Sequence, residues 1–526
     1  MIQKEKLQIV EKSAADVVGV INESARWVNN FLKDEERTDC NYDLKKCRRK
    51  INKIKAVVSC KPVIALFGAS QVGKSYMANN LLYNAQNKLE VFNHQEKDAE
   101  KQVIDFIKYI NPEGKGNEAT GAVTRFTADT ETDASRYPVK LKIFNPKDII
   151  CVLCDTYYND FKDQKELPKR QHVVEFMGEI ERLKSTAAHN FLNDDDVYSI
   201  KEYLEKYFSN NSFIIELREN GFWDLLADSI AYIGHENWAR IFGFLWNNHT
   251  ELTQVFDSCI SFLSGYNFTE LMYVKYDALY RNSGKSIINV QTLQNFFEND
   301  TSFEIQTEQG QIQKADAAKL CFVTSEIVLS VSEGSINNRP FIKNVDIIDF
   351  PGARSRPEVI DLSQKSILEM MLRGKVSYLF NNYSSDFKTN ILSVCMRTQQ
   401  TNVTTVPRLI NQWIMDNLGE TPEKRGNNLG PDTSPLFIIF TWWNTQLEFK
   451  KATDDANPTE RIEKLFETRY RQEIIGDYRW HDEWKMVNKV PYHFNNFYLL
   501  RDFKESLSIF KTAEDGTEVV DNPFTS

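Results

Sequence analysis

Apolar residues recur at helical spacing from the first turns of the chain. Leu7, Val10, Ala14, Val17, Val18, Ile21, Ala25, Val28 and Phe31 mark one helix over 5–33, and Leu44, Cys47, Ile51 and Ile54 mark a second over 42–57. The polar DEERTDCN between them reads as the turn of an antiparallel hairpin occupying residues 1–58. The pattern then changes. Val63 to Phe67 is a continuous apolar run, the pattern of a strand buried on both faces of a parallel sheet. Helical spacing resumes over 76–82, with Met77, Leu81 and Leu82 as the expected buried positions.

A polar stretch, 84–117, holds one expected helix near 97–110; a loop over 119–126 then leads to a strand at 139–144. The run DIICVLCD around Cys151 and Cys154 has the apolar density of a buried strand. Over 148–318 helical spacing dominates, at 172–183, 197–208, 238–246 and 252–263, which predicts an inserted, mainly helical block. Strand-like runs return at 320–331, 344–349, 391–396, 436–440 and 496–500, alternating with helices at 366–383, 406–418 and 458–474 and a loop at 426–432. Strands alternating with helices imply an α/β fold with a doubly wound, mainly parallel sheet. Its two parts are 59–147 and 319–526, separated by the insertion.

Charge and composition narrow the function classes. The net charge is −10, which argues against nucleic acid binding by the whole chain. The cluster Lys45, Lys46, Arg48, Arg49, Lys50, Lys53 and Lys55 is a local exception, read as a solvated helix face with a lipid or nucleic-acid contact as the alternative. No apolar run approaches the ~18 residues of a membrane span, and the N-terminus has no signal-like apolar segment, so a cytoplasmic protein is expected. Cys151 and Cys154 form a single C-x-x-C with no second pair at zinc spacing, and the histidines form no H-E-x-x-H; reduced thiols and no zinc are expected.

The chemistry concentrates where strand 63–67 meets the next helix. Gly68, Ala69, Ser70, Gln71, Val72, Gly73, Lys74 and Ser75 fit G-x-x-x-x-G-K-S, and Tyr76 continues into the helix. The glycines let successive backbone N–H groups converge on phosphates at a helix N-terminus. Lys74 is placed for the β- and γ-phosphates and the Ser75 hydroxyl for Mg²⁺. Downstream, Asp349-Phe-Pro-Gly352 ends an apolar run as D-x-x-G: Asp349 is expected to hold Mg²⁺ through water and Gly352 to meet the γ-phosphate. Thr124 and Thr120 are the candidate switch hydroxyls that join the metal shell, and Gln71, Arg125, Arg354 and Arg356 are candidates for water positioning or charge stabilisation.

GASQVGKS, TGAVTRF and DFPG, in that order, resemble the dynamin-type large GTPases. FGASQVGKS, DIIDFPGARSR, RGKVSYLF and NQWI resemble more closely the SrfC-type bacterial virulence factors, over about residues 60–500. The resemblance implies a P-loop NTPase fold, with Lys74 and Ser75 on phosphate and metal and Asp349 and Gly352 as the phosphate-sensing pair. At the guanine-reading N/T-K-x-D position the chain has Thr441, Trp442, Trp443 and Asn444, where an amide replaces a carboxylate and Trp442 offers a stacking surface. GTP and ATP both remain candidate ligands. The expected function is a Mg²⁺-dependent, GTPase-like nucleotide-hydrolysing switch with a protein partner in a bacterial system; a nucleotide-binding scaffold with little turnover is the alternative, and a dynamin-like membrane remodeller ranks behind both.

Overall fold

A computed structural model describes residues 2–93, 103–112, 121–129, 137–161, 167–189, 191–281, 286–298, 301–353, 364–397, 406–443, 463–465, 467–500, 510–512 and 518–520. Eleven of its strands form one sheet: β1 (Val63–Phe67), β2 (Val123–Thr127), β3 (Val139–Ile143), β4 (Leu271–Val274), β5 (Ser302–Thr307), β6 (Ile312–Asp316), β7 (Thr324–Ser330), β8 (Asp346–Asp349), β9 (Ile391–Arg397), β10 (Leu436–Thr441) and β11 (Phe497–Leu499). Their order across the sheet is β11-β10-β9-β1-β8-β2-β7-β3-β4-β5-β6.

The run β11 to β8 is parallel, as the alternation of strands and helices requires. Beyond it β2 turns antiparallel to β8, β7 runs parallel to β2, and β3 to β6 continue antiparallel. The sheet is therefore mixed, with a parallel half and an antiparallel wing. Side-chain patterns explain the division. β8 is buried at all four positions and β9 at its five central ones, so both faces are covered. In β3, β5 and β6 burial alternates and one face meets solvent. Strands β4 to β6 fall inside 148–318, beside the helices α5 (Arg170–Arg182) and α6 (Asp194–Tyr207) and the helix Thr250–Ser264 of the same stretch.

Several local readings change. Helix α1 (Ile2–Phe31) is followed at once by α2 (Asp34–Val58), so DEERTDCN forms the first turns of a helix and the hairpin bends at Leu32-Lys33. In α3 (Lys74–Leu82) the buried residues are Lys74, Ala78 and Leu82, while Met77 and Leu81 are only partly covered. The helix expected near 97–110 is, where described, the strand Val103–Asp105 and a π-helical turn, Phe106–Ile110, whose N-cap Asp105 accepts from the Lys108 amide. Cys151 and Cys154 sit on α4 (Pro146–Asp160), buried, and not on a strand. A helix covered on all sides carries the same unbroken apolar run as a buried strand, and here Pro146 and the Asn145–Asp148 capping box decide for helix. Residues 320–323 close the helix Ala317–Val323 before β7 begins. Gly426 lies in the helix Pro422–Leu429, not a loop, and a Cβ there would stand 1.8 Å from the Met486 carbonyl oxygen. Of 458–474, residues 463–465 are α-helical and Glu467–Ile475 is π-helical.

The basic cluster on α2 is largely engaged rather than solvated. Lys45 meets Asp194 at 2.6 Å, Arg48 meets Asp195 at 2.9 Å, and the buried Arg49 bridges Asp195 and Glu202 on α6; Lys53 pairs with Asp386. An acidic first turn attracts cations to a helix N-terminus, and that attraction fixes α2 against α6. On α1 the residues facing inward are Ala14, Ile21 and Val28, a seven-residue repeat against α2. Among the described residues no helix is long and apolar enough to cross a membrane.

The helix Gln364–Ser385 crosses α4 closely at Gly374, where a Cβ would stand 2.1 Å from Thr156 Oγ1. One residue later Lys375 is fully buried; its Nζ donates to the Cys321 carbonyl at 3.0 Å and lies over the rings of Phe144 and Phe322. Burial pushes its pKa from 10.5 down to about 8. Between those values the unfolded chain binds more protons than the folded one, so stability rises with pH from about 8 to 10.5. Lys375→Met is expected to stabilise the fold at pH 7 by about 1–3 kcal/mol and to flatten that rise, as read by urea denaturation across pH.

Candidate functional site

The glycine loop between β1 and α3 sits at the carboxyl ends of the parallel strands, where α/β sheets bind ligands. Its geometry needs glycine at two points. Gly68 has φ +148°, and a Cβ there would stand 2.1 Å from the Cys395 carbonyl oxygen; Gly73 has φ +89° and caps α3 in the left-handed region. Gln71, exposed at the tip, also takes φ +60°. Buried Val72 anchors the loop, and its carbonyl accepts from Thr441 Oγ1 at 2.5 Å. The same hydroxyl lies 2.9 Å from the Met396 carbonyl. Thr441 thus staples the loop to the sheet.

Lys74, only 7% exposed, curls back so that Nζ donates to the carbonyls of Ala69 at 2.7 Å and Gly68 at 3.2 Å. Ser75 Oγ donates to Asp349 Oδ2 at 2.7 Å and accepts from Asn111 Nδ2 at 2.8 Å. The other Asp349 oxygen, Oδ1, is buried with no hydrogen-bond partner among the described residues. Burial raises the Asp349 pKa, against the pull of Lys74 and the Ser75 hydrogen bond. A desolvated carboxylate with a vacant oxygen beside a hydroxyl is a hard-oxygen donor pair, the chemistry that suits Mg²⁺. Asn111 and, behind it, Arg281, whose guanidinium donates to Asn111 Oδ1 at 3.5 Å, belong to no motif in the sequence, because they reach the site from 36 and 206 residues beyond Ser75.

The D-x-P-G turn is pinned to the glycine loop by backbone. Phe350 N donates to the Leu66 carbonyl and Ala353 N to the Gly68 carbonyl, both at 3.0 Å, and Gly352 packs so tightly that a Cβ would stand 2.6 Å from Ser70 Cα. Ala69 and Ala353 form an isolated parallel bridge. Tyr76, on the first turn of α3, is half-buried. Thr124 lies in β2 and not in a loop, buried and in register with Asp349 of β8, so it shares that sheet face. Arg125 points elsewhere. Its guanidinium pairs with both oxygens of Glu326 at 2.8 and 3.0 Å and with Asp346 at 3.0 Å.

Trp442 has φ +57° and is 49% exposed; its Nε1 stands 3.4 Å from where a Cβ on Gly73 would lie, and the Arg397 guanidinium sits 4.6 Å from the indole centroid. Thr120, Arg354, Arg356 and Asn444 lie outside the described residues. The structure therefore gathers Gly68 to Tyr76, Thr124, Asp349, Gly352, Thr441 and Trp442 around one loop.

What these observations define is a mixed α/β protein whose phosphate-loop pattern and D-x-P-G turn meet at one end of the sheet. The chain belongs to the family described as "Putative bacterial virulence factor", whose model matches residues 18–524. No curated protein matches the chain.

Proposed function

We propose that the loop 68–75 binds the phosphates of a nucleoside triphosphate with Mg²⁺, and that the chain hydrolyses it as a GTPase-like switch. The observation that carries this reading is the Ser75–Asp349 pair, 2.7 Å apart, with Asp349 Oδ1 left unpartnered beside Lys74. Mg²⁺ would be held by Ser75 and, through water, by Asp349, and would balance the carboxylate that burial now disfavours. Lys74 would leave the Gly68 and Ala69 carbonyls for the phosphates. The strand order supports the reading: β1 is flanked in parallel by β8 and β9, and β2 adjoins, antiparallel, the strand that bears Asp349. That arrangement is the one the triphosphate reading calls for, with the glycine loop on a central strand and the Asp349 strand next to it.

The family's description suggests that the switch serves a bacterial virulence or host-conflict role in the cytoplasm, through a protein partner. A second reading, a nucleotide-bound scaffold with little turnover, is favoured by Arg125, whose charge is committed to Glu326. Asp349→Ala separates metal from phosphate: Mg²⁺-dependent triphosphate binding is expected to fall by about 10- to 100-fold, while binding in a metal chelator changes little, as measured by calorimetry. Equal losses with and without metal would remove Asp349 from the metal site.

A further inference from the structure

Arg397 ends β9 in register with Thr441, the residue that staples the glycine loop, and its guanidinium lies over Trp442, the residue that follows Thr441. The side chain is half-buried, yet its Nε is enclosed with no hydrogen-bond partner among the described residues. An enclosed donor without an acceptor is costly, and a ligand edge that supplies acceptors removes the cost. Trp442 in turn approaches Gly73, so the cation and the indole stand beside the loop that would hold the phosphates. A base attached to those phosphates would have to lie near these two side chains.

We propose that Arg397 and Trp442 form the base subsite and that it selects guanine by its O6/N7 edge. This rests on the triphosphate reading above. Guanine presents two adjacent acceptors there, N7 and O6, whereas adenine replaces the second with an amino donor. Arginine has donors only, in a planar fork that spans such a pair, so adenine meets it donor to donor. Trp442 supplies the stacking face, and the guanidinium, 4.6 Å from the indole centroid, stands close enough to meet the edge of a base stacked there. The edge read is different from the one an aspartate at position 444 would read, which is N1–H and the 2-amino group; the chain has Asn444 there.

The test uses the full chain with Mg²⁺ and four ligands: GTP, ITP, 7-deaza-GTP and ATP. ITP keeps O6 and N7 and lacks the 2-amino group, while 7-deaza-GTP keeps the 2-amino group and lacks N7. GTP and ITP are expected to bind within about threefold of each other, with 7-deaza-GTP and ATP weaker by about tenfold or more. In Arg397→Ala the four affinities should converge, and Trp442→Ala should weaken all four alike by about tenfold. The analogues act on the unmodified protein, so the result does not depend on either variant folding. ITP falling with ATP would overturn the O6/N7 assignment in favour of the 2-amino edge. Four equal affinities in the unmodified chain would overturn the subsite while leaving triphosphate binding standing, and no binding of any triphosphate would overturn both.

Discussion

Lys74→Ala is expected to eliminate Mg²⁺-nucleoside triphosphate binding while leaving the fold in place. The ammonium is held 7% exposed at the base of the loop, and within the loop it is the one cation. Each charge-assisted hydrogen bond to phosphate lost with it is worth about 1.5–3 kcal/mol, or about 10- to 100-fold in affinity. The structural cost is small. The Gly68 and Ala69 carbonyls that accept from Lys74 stand at the loop, and the Gly68 carbonyl keeps its bond from the Ala353 amide. Calorimetric titration of the variant with GTP and ATP, beside a melting curve that matches the unmodified chain, measures both halves. Retained affinity would remove the loop from phosphate binding.

Arg125→Ala is expected to do the opposite: destabilise the fold and spare the binding affinity of the protein that remains folded. Arg125 lies against Glu326, whose side chain is fully buried and also takes a bond from Tyr383 and an ion pair from Lys142 at 2.6 Å. Burial raises the Glu326 carboxyl, but Arg125 and Lys142 outweigh it and hold the group well below the usual carboxylate range. A group depressed in this way contributes stability above its unfolded pKa and loses it as pH falls toward the folded value, so the pair still stabilises at mildly acid pH. Removing one partner of a buried pair costs about 3–5 kcal/mol where the charge is left bare; Lys142 and Tyr383 stay on Glu326, so a loss of about 3 kcal/mol is expected, and replacing both Arg125 and Glu326 by apolar residues recovers most of it. Urea denaturation of Arg125→Ala and of the double variant Arg125→Met with Glu326→Met tests this. A loss below about 1 kcal/mol in the single variant, together with lost turnover, would return Arg125 to the chemistry.

The parallel half of the sheet was legible because its strands are apolar at nearly every position, and the glycine loop because β1, loop and α3 follow one another without a gap. The antiparallel wing was not. Strands β4 to β6 are short, alternate in burial and lie among helices, and their pairing is set by contacts far apart in sequence. Buried helices are hard to read for a related reason, since α4 is covered at every position from Ile149 to Tyr157 and its period vanishes. Within the site, Lys74, Ser75, Asp349 and Gly352 were readable from motif spacing alone. Thr124 was placed in the right neighbourhood but in a loop, where β2 and the register with Asp349 hold it rigidly. Thr441 opens the segment that the sequence aligns with a base-reading motif, and its hydroxyl bonds to two backbone carbonyls, a role that no motif spacing shows. Asn111, Arg281 and Arg397 belong to no motif; only the folding of distant segments onto one loop brings them there.

The most direct measurement is titration of the purified chain with GTP and ATP in the presence of Mg²⁺, followed by phosphate release under the same conditions. Saturable binding that needs Mg²⁺, with phosphate released in proportion to occupied sites, is the predicted result. No binding of either triphosphate with or without Mg²⁺ would contradict the assignment of loop 68–75 as a phosphate site.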